Sequence, residues 1–149
     1  MKHESTITFK PTDYNDLDTL VAIRIEAMRE SLERIGRFDP VRARERFRNS
    51  FSPQHTQYIV INNEHVGFVV IKPQTDSILL DHLYIKPDWQ NHGIGAAVLD
   101  QLFRKADELK LPVRVGALRG SDSNRFYLRH GFKLVESTGF DNYYIRPHE

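Results

Sequence analysis

The chain contains no cysteine. That excludes disulfides, thiolate metal sites and a cysteine nucleophile, and it suits a reducing compartment. An excess of either charge is also missing: 21 basic and 20 acidic side chains leave a formal net charge of +1. Such a balance gives no reason to expect nucleic acid or an anionic membrane as a partner. Long hydrophobic runs are absent too. None approaches the roughly 18 residues of a membrane helix, and the opening Met1-Lys2-His3-Glu4-Ser5-Thr6 has no apolar signal core. A cytoplasmic protein is therefore expected. The seven histidines include no HExxH or other close ligand pair, so no metal is expected.

What is present is ordinary globular material. With 149 residues, 40% apolar and 28% charged, the chain reads as one domain over residues 1–149, long enough to bury a core. It has no internal repeat or long linker. Ser5 to Lys10 alternate as a strand that Pro11-Thr12-Asp13 ends. Leu17, Leu20, Val21, Arg24, Met28, Leu32 and Ile35 recur at three- and four-residue steps, which predicts an amphipathic helix stopped by Gly36. Asp39 and Pro40 suit the cap and first turn of a second helix. The period then changes. Gln57–Ile61 and Val66–Ile71 are β-branched runs joined by Asn62-Asn63-Glu64, a hairpin signal. Ile78–Ile85 is the next strand, and Ile94, Val98, Leu102, Ala106 and Leu109 mark a helix that Pro112 cannot continue. Pro112–Ala117 reads as a strand, Ser121–His130 as a short helix, and Phe132–Val135 with Tyr143–Ile145 as closing strands. An antiparallel start joined to a crossover unit predicts a mixed α/β sheet.

The most informative stretch is Gln90-Asn91-His92-Gly93-Ile94-Gly95-Ala96. It follows a strand and opens a helix, so several backbone N–H groups and the positive helix end converge on one spot. Gly93 and Gly95 lack the Cβ atoms that would keep a ligand from that backbone. A phosphate or pyrophosphate is the expected ligand. A P-loop would need Lys and then Ser or Thr after the second glycine, where Ala96 and Ala97 stand. A Rossmann turn would need a third glycine where Val98 stands.

Q-x-x-G-x-G after a strand instead resembles the acetyl-CoA motif of the GNAT superfamily of N-acetyltransferases. Asn124-Arg125-Phe126-Tyr127-Leu128-Arg129-His130-Gly131-Phe132 is similar to the later F-Y-x-x-x-G-F signature of that family. The resemblance covers nearly the whole chain, most clearly Leu80 to Val135. It implies an α/β (α+β) fold, a mixed and mostly antiparallel sheet of about six to seven strands flanked by about four helices. It also implies acetyl-CoA as cosubstrate, its pyrophosphate held by the backbone of Gln90, Asn91, His92, Gly93, Ile94, Gly95 and Ala96. Leu83, Tyr84 and Ile85 would pair their backbone with the pantetheine arm, where the family separates two strands to form a slot. Many members carry Asn seven residues before the Tyr; Gly120 stands there in this chain, and Asn124 lies nearby but out of register.

Acetyl transfer to an amine needs a neutral amine, a stabilised thioester oxygen and a protonated leaving thiolate. By the same resemblance Tyr127 is the acid, with a packed aromatic as the plainer role. For the base, Asp81 is preferred by the resemblance, because it matches the position where some relatives place one; His82 offers the imidazole, whose intrinsic pKa is about 6.5, and an ordered water could replace both. Adjacent strand residues face opposite sides, so only one of the pair can enter an acceptor pocket. Gly36-Arg37-Phe38-Asp39 is similar to loops that form the acceptor wall in the family, which makes Arg37 and Phe38 candidate substrate contacts. A helix-to-helix turn with a cap is the other reading. His92 could contact phosphate or be a solvated loop residue. Arg42, Arg44, Arg46 and Arg48 could line the acceptor mouth or form a solvated face. Trp89 would pack beneath the turn. The function implied is direct acetyl transfer to a primary amine of a small molecule or peptide in a ternary complex; a CoA-binding sensor without catalysis is the alternative. Dimerisation is common in the family, and a homodimer is one arrangement open to this chain.

Overall fold

Two asparagines make the first hairpin. Asn62 and Asn63 both take left-handed backbone angles (φ 52° and 66°), as a two-residue turn between twisted strands requires. Glycines at left-handed angles punctuate other joints: Gly36 at φ 72° follows the first helix, its N–H donating to the Glu33 carbonyl. Asp39 caps the second helix by accepting from the Arg42 N–H, with Pro40 in the first turn. These local devices fix where elements begin and end.

The computed structural model describes residues 6–34, 36 and 38–149. The strands are β1 (Ile7–Pro11), β2 (Thr56–Ile61), β3 (Glu64–Pro73), β4 (Ile78–Ile85), β5 (Val113–Leu118), β6 (Lys133–Ser137) and β7 (Asp141–Arg146). The helices are α1 (Leu17–Arg34), α2 (Pro40–Ser50), α3 (Ile94–Leu109) and α4 (Ser123–Arg129). The strands hydrogen-bond in the order β1-β2-β3-β4-β5-β7-β6. Only β4 and β5 are paired in parallel among the registers β1–β2, β2–β3, β4–β5, β5–β7 and β6–β7. The sheet is mixed and mostly antiparallel, as its sequence implies. Pro11, read from sequence as a terminator, is instead the last residue of β1, opposite Gln57. An edge strand tolerates the missing N–H.

The chain forms two compact units, each with its own packing. The first takes the described residues through Val70 together with His82–Gly95. Leu20, Val21, Ile23, Phe47, Tyr58, Phe68 and Val70 are its buried cluster, with Tyr84 and Phe51 packed against it. Asp16 links α1 to β2: its carboxylate accepts from the Asp13 N–H at 2.9 Å and from the Tyr58 hydroxyl at 2.8 Å. The Asp13 N–H, before any other group, holds Asp16 below its ordinary carboxylate range, while burial pushes the Tyr58 phenol up. The second unit takes Ile71–Asp81 and Ala96–Glu149. Val113, Val115 and Ala117 alternate inward along β5, and Val98, Leu99, Leu102 and Ala106 form the buried stripe of α3. Arg146 closes this unit with two hydrogen bonds to Asp107, at 2.7 and 3.3 Å, while lying 4.1 Å from the centre of the Phe103 ring.

Gly67 on β3 is required by close approach. A Cβ there would overlap the Tyr84 carbonyl oxygen, a backbone atom that cannot swing aside. Gly67→Ala is expected to destabilise the protein by about 3 kcal/mol. Gly139→Ala, where an added Cβ meets nothing within 4 Å, should stay within about 0.5 kcal/mol of wild type. Urea unfolding of the two variants checks this, and equal stabilities would remove the close approach as the reason for glycine.

Candidate active site

Strand alternation sorts the chemistry of β4. His82 and Tyr84 share a face, and Asp81 points to the other. In the first unit, His82 Nδ1 lies 3.2 Å from the Tyr84 hydroxyl, with donor and acceptor set by the tautomer. The His82 ring is 5.4 Å from Phe47 and 6.4 Å from Phe68, and the Tyr84 ring is 5.5 Å from Phe68. An aromatic wall thus fixes the imidazole. Asp81, in the second unit, forms an ion pair with Lys72 across 3.0 Å, both side chains partly buried. The structure gives the two base candidates different partners: an aromatic cluster for His82 and an ammonium for Asp81.

The end of β4 is tied to the glycine turn. Lys86 donates its N–H to the Val66 carbonyl at 2.8 Å. Pro87–Trp89 make a single 3-10 turn, after which the Gln90 side-chain amide donates to the Ile85 carbonyl at 2.9 Å. The glutamine at the head of the motif therefore staples the turn to the strand through its side chain, a role that backbone reasoning alone missed. Asn91 (φ 65°) and Gly93 (φ 79°) both take left-handed angles, the first tolerated by asparagine and the second free for glycine. A Cβ built on Gly93 meets no protein atom within 4 Å. Ile94 opens α3, so the N–H groups of Ile94, Gly95 and Ala96 have no partner within the helix. Open space over Gly93 beside these amides suits a phosphate-sized group. His92 is exposed, and its ring lies 6.3 Å from that of the half-buried Trp89.

The second signature resolves into a packing motif. Tyr127 is only 5% exposed, its ring 5.3 Å from Phe132 and 6.4 Å from Tyr144. Gly131 takes φ 94° and lets the chain reverse after α4, so that the Phe132 N–H donates back to the Tyr127 carbonyl at 3.1 Å. The Gly-Phe of the signature thus seats the tyrosine. Asn124 anchors the start of α4. Its amide donates to the carbonyls of Leu118 and Ser121, each at 2.9 Å, and its oxygen accepts from Asn142 at 2.9 Å and the Tyr144 hydroxyl at 2.7 Å. With two donors and two acceptor sites engaged, Asn124 would have to release a protein partner to touch a ligand.

Arg37 lies outside the described residues. Phe38 is half-buried under the Arg29 guanidinium, 4.9 Å from its ring centre. The arginines of α2 divide: Arg44 pairs with Asp18 at 2.8 Å, Arg48 meets Glu45 at 3.8 Å, and Arg42 and Arg46 are exposed. Among the described residues, no group of three or more His, Cys, Asp or Glu side chains is placed to hold a metal ion. No helix among them is long and apolar enough to cross a membrane.

Comparison with known proteins adds an independent line. A family model described as an acetyltransferase (GNAT) domain matches residues 54–134, more than half of the chain and both motifs. No curated protein matches the chain by sequence. Among solved structures, PaiA N-acetyltransferase from Thermoplasma acidophilum, in complex with coenzyme A, is similar with a TM-score of 0.78 at 19% identity, over 96% of this chain and 99% of its own. The apo form of YjaB from Escherichia coli is similar with a TM-score of 0.73 at 18% identity, over 97% and 99%. The ribosomal-protein-S18-alanine N-acetyltransferase of Escherichia coli reaches 0.65 at 16%, over 95% and 94%. At such identities the structures establish a shared fold, and the family model carries the sequence evidence. The chain belongs to the GNAT family of acetyltransferases.

Proposed function

We propose that this protein transfers the acetyl group of acetyl-CoA to a primary amine, directly and within a ternary complex. The observation that carries the proposal is the Gln90–Gly95 turn: stapled to β4, left-handed at Asn91 and Gly93, and open above Gly93 where the amides of α3 begin. Those amides and the helix dipole would hold the pyrophosphate of CoA. The Tyr84 carbonyl faces Gly67 on β3. By alternation Leu83 then turns its N–H and C=O to the other edge, where a strand-like pantetheine arm would meet them. Bound acetyl-CoA supplies an activated acyl thioester.

The chain's own groups supply the proton chemistry. We assign the base to His82, because its ring is oriented by Tyr84 and Phe47, whereas the Asp81 carboxylate is engaged by Lys72. His82 would take a proton from the incoming ammonium, directly or through a water. Tyr127 would give one to the departing sulfur. With no cysteine in the chain, an acyl-thiol enzyme is excluded and direct transfer is the simpler course.

The same lack of cysteine makes a thiol-reagent assay of CoA release free of background from the protein. A panel of amines, peptides and aminoglycosides is expected to contain at least one acceptor that releases CoA and gains an acetyl group on nitrogen by mass spectrometry. Binding of acetyl-CoA with no acceptor in any amine class would point to the sensor role instead.

A further inference from the structure

Helix α1 turns an apolar stripe inward, and Arg24 stands in that stripe, at the same spacing as Leu20, Val21 and Met28. A cation at such a position calls for a partner, because burying an unpaired charge is costly. The other arginines among the described residues that are not exposed have one: Arg44 holds Asp18 and Arg146 holds Asp107. Arg24 does not. It is half-buried, its Nε is buried with no hydrogen-bond partner, and its guanidinium lies 5.7 Å from the centre of the Tyr84 ring. A cation–π contact offsets part of the lost hydration, yet it leaves the charge uncompensated and an N–H without an acceptor.

Tyr84 connects this cation to the candidate base. Its ring is 5.5 Å from that of His82, and its hydroxyl is 3.2 Å from His82 Nδ1. One tyrosine therefore carries, within 6 Å of its ring, a guanidinium lacking a counter-ion and the imidazole assigned to the proton transfer. We infer that the amine acceptor bears a carboxylate and that Arg24 is the residue that binds it. This inference rests on the acetyl-transfer reading above. Arg24 brings a single positive charge, which a monoanionic carboxylate neutralises and a phosphate dianion exceeds. The planar guanidinium fork also matches a planar pair of oxygens.

The test compares α-, β- and γ-amino acids with their own carboxamides as acceptors, and phosphoethanolamine with ethanolamine. At least one amino acid should exceed its amide by about 100-fold or more in kcat/KM, although the amide carries the more readily deprotonated amine. Arg24→Gln should erase that preference and leave the KM for acetyl-CoA unchanged. Calorimetry in the presence of CoA should show the same amino acid binding to wild type and not to the variant. Arg24→Met should keep or raise Tm, because it removes an unpaired charge that folding alone does not need. Four results would overturn the inference while leaving acetyl transfer intact: amides used as well as acids, a variant that slows both equally, a preference for the phosphorylated amine, or a lowered Tm in Arg24→Met that marks a structural role. Release of CoA by no amine at all would instead remove the acetyl-transfer reading, and this inference with it.

Discussion

Gly93→Val is expected to weaken CoA binding by at least about 100-fold, roughly 2.8 kcal/mol, in a protein that remains folded. Two effects combine. Gly93 holds φ 79°, where a side chain costs roughly 1–2 kcal/mol and a β-branched one more. The side chain would also enter the space above the turn, which no protein atom occupies within 4 Å of a built Cβ. Nothing in the fold collides with it, so the damage should fall on the ligand. Calorimetric titration with CoA measures the affinity, and near-ultraviolet circular dichroism with Tm reports the fold. Gly93→Asn separates the two effects, because asparagine accepts left-handed angles but still projects a side chain. Undiminished CoA binding by Gly93→Asn would show that the space over the turn does not belong to the ligand.

Tyr127→Phe is expected to lower kcat by about 10²–10³-fold, in the range of a lost general acid, while CoA affinity stays within about twofold. The variant keeps the ring that packs on Phe132 and Tyr144. Its stability should fall by no more than about 1 kcal/mol, the ordinary worth of one hydroxyl hydrogen bond. Steady-state kinetics with the best acceptor and a parallel CoA titration make the distinction. An unaltered kcat would reduce Tyr127 to a packed aromatic.

Much of the fold was readable because its determinants are local. The limits of β4 and α3 follow from an apolar run, a proline and a helical period, and the structure places them at Ile78–Ile85 and Ile94–Leu109. The asparagine hairpin, the Gly36 stop and the Asp39 cap are likewise decided within a few residues. Side-chain partners across the chain were not readable. Lys72 meets Asp81 because β3 and β4 are neighbours in the sheet. The Asn124 side-chain oxygen accepts from Asn142 and Tyr144, which arrive 18 and 20 residues later. Arg24 was visible in the sequence as a member of a helical stripe. Its buried Nε without a hydrogen-bond partner is a property of the folded surroundings, which the helical period does not specify. The motif glycines name the donor side of the reaction, and the acceptor side is written in such long-range contacts.

The most direct test of the whole account is calorimetric titration of the purified protein with acetyl-CoA, CoA, ATP and NAD under one condition. Saturable one-to-one binding of acetyl-CoA and CoA is expected, with no competition from ATP or NAD at equal concentration. Binding of ATP or NAD in preference to CoA would contradict this, because the turn at Gln90–Gly95 would then cradle a different phosphate ligand.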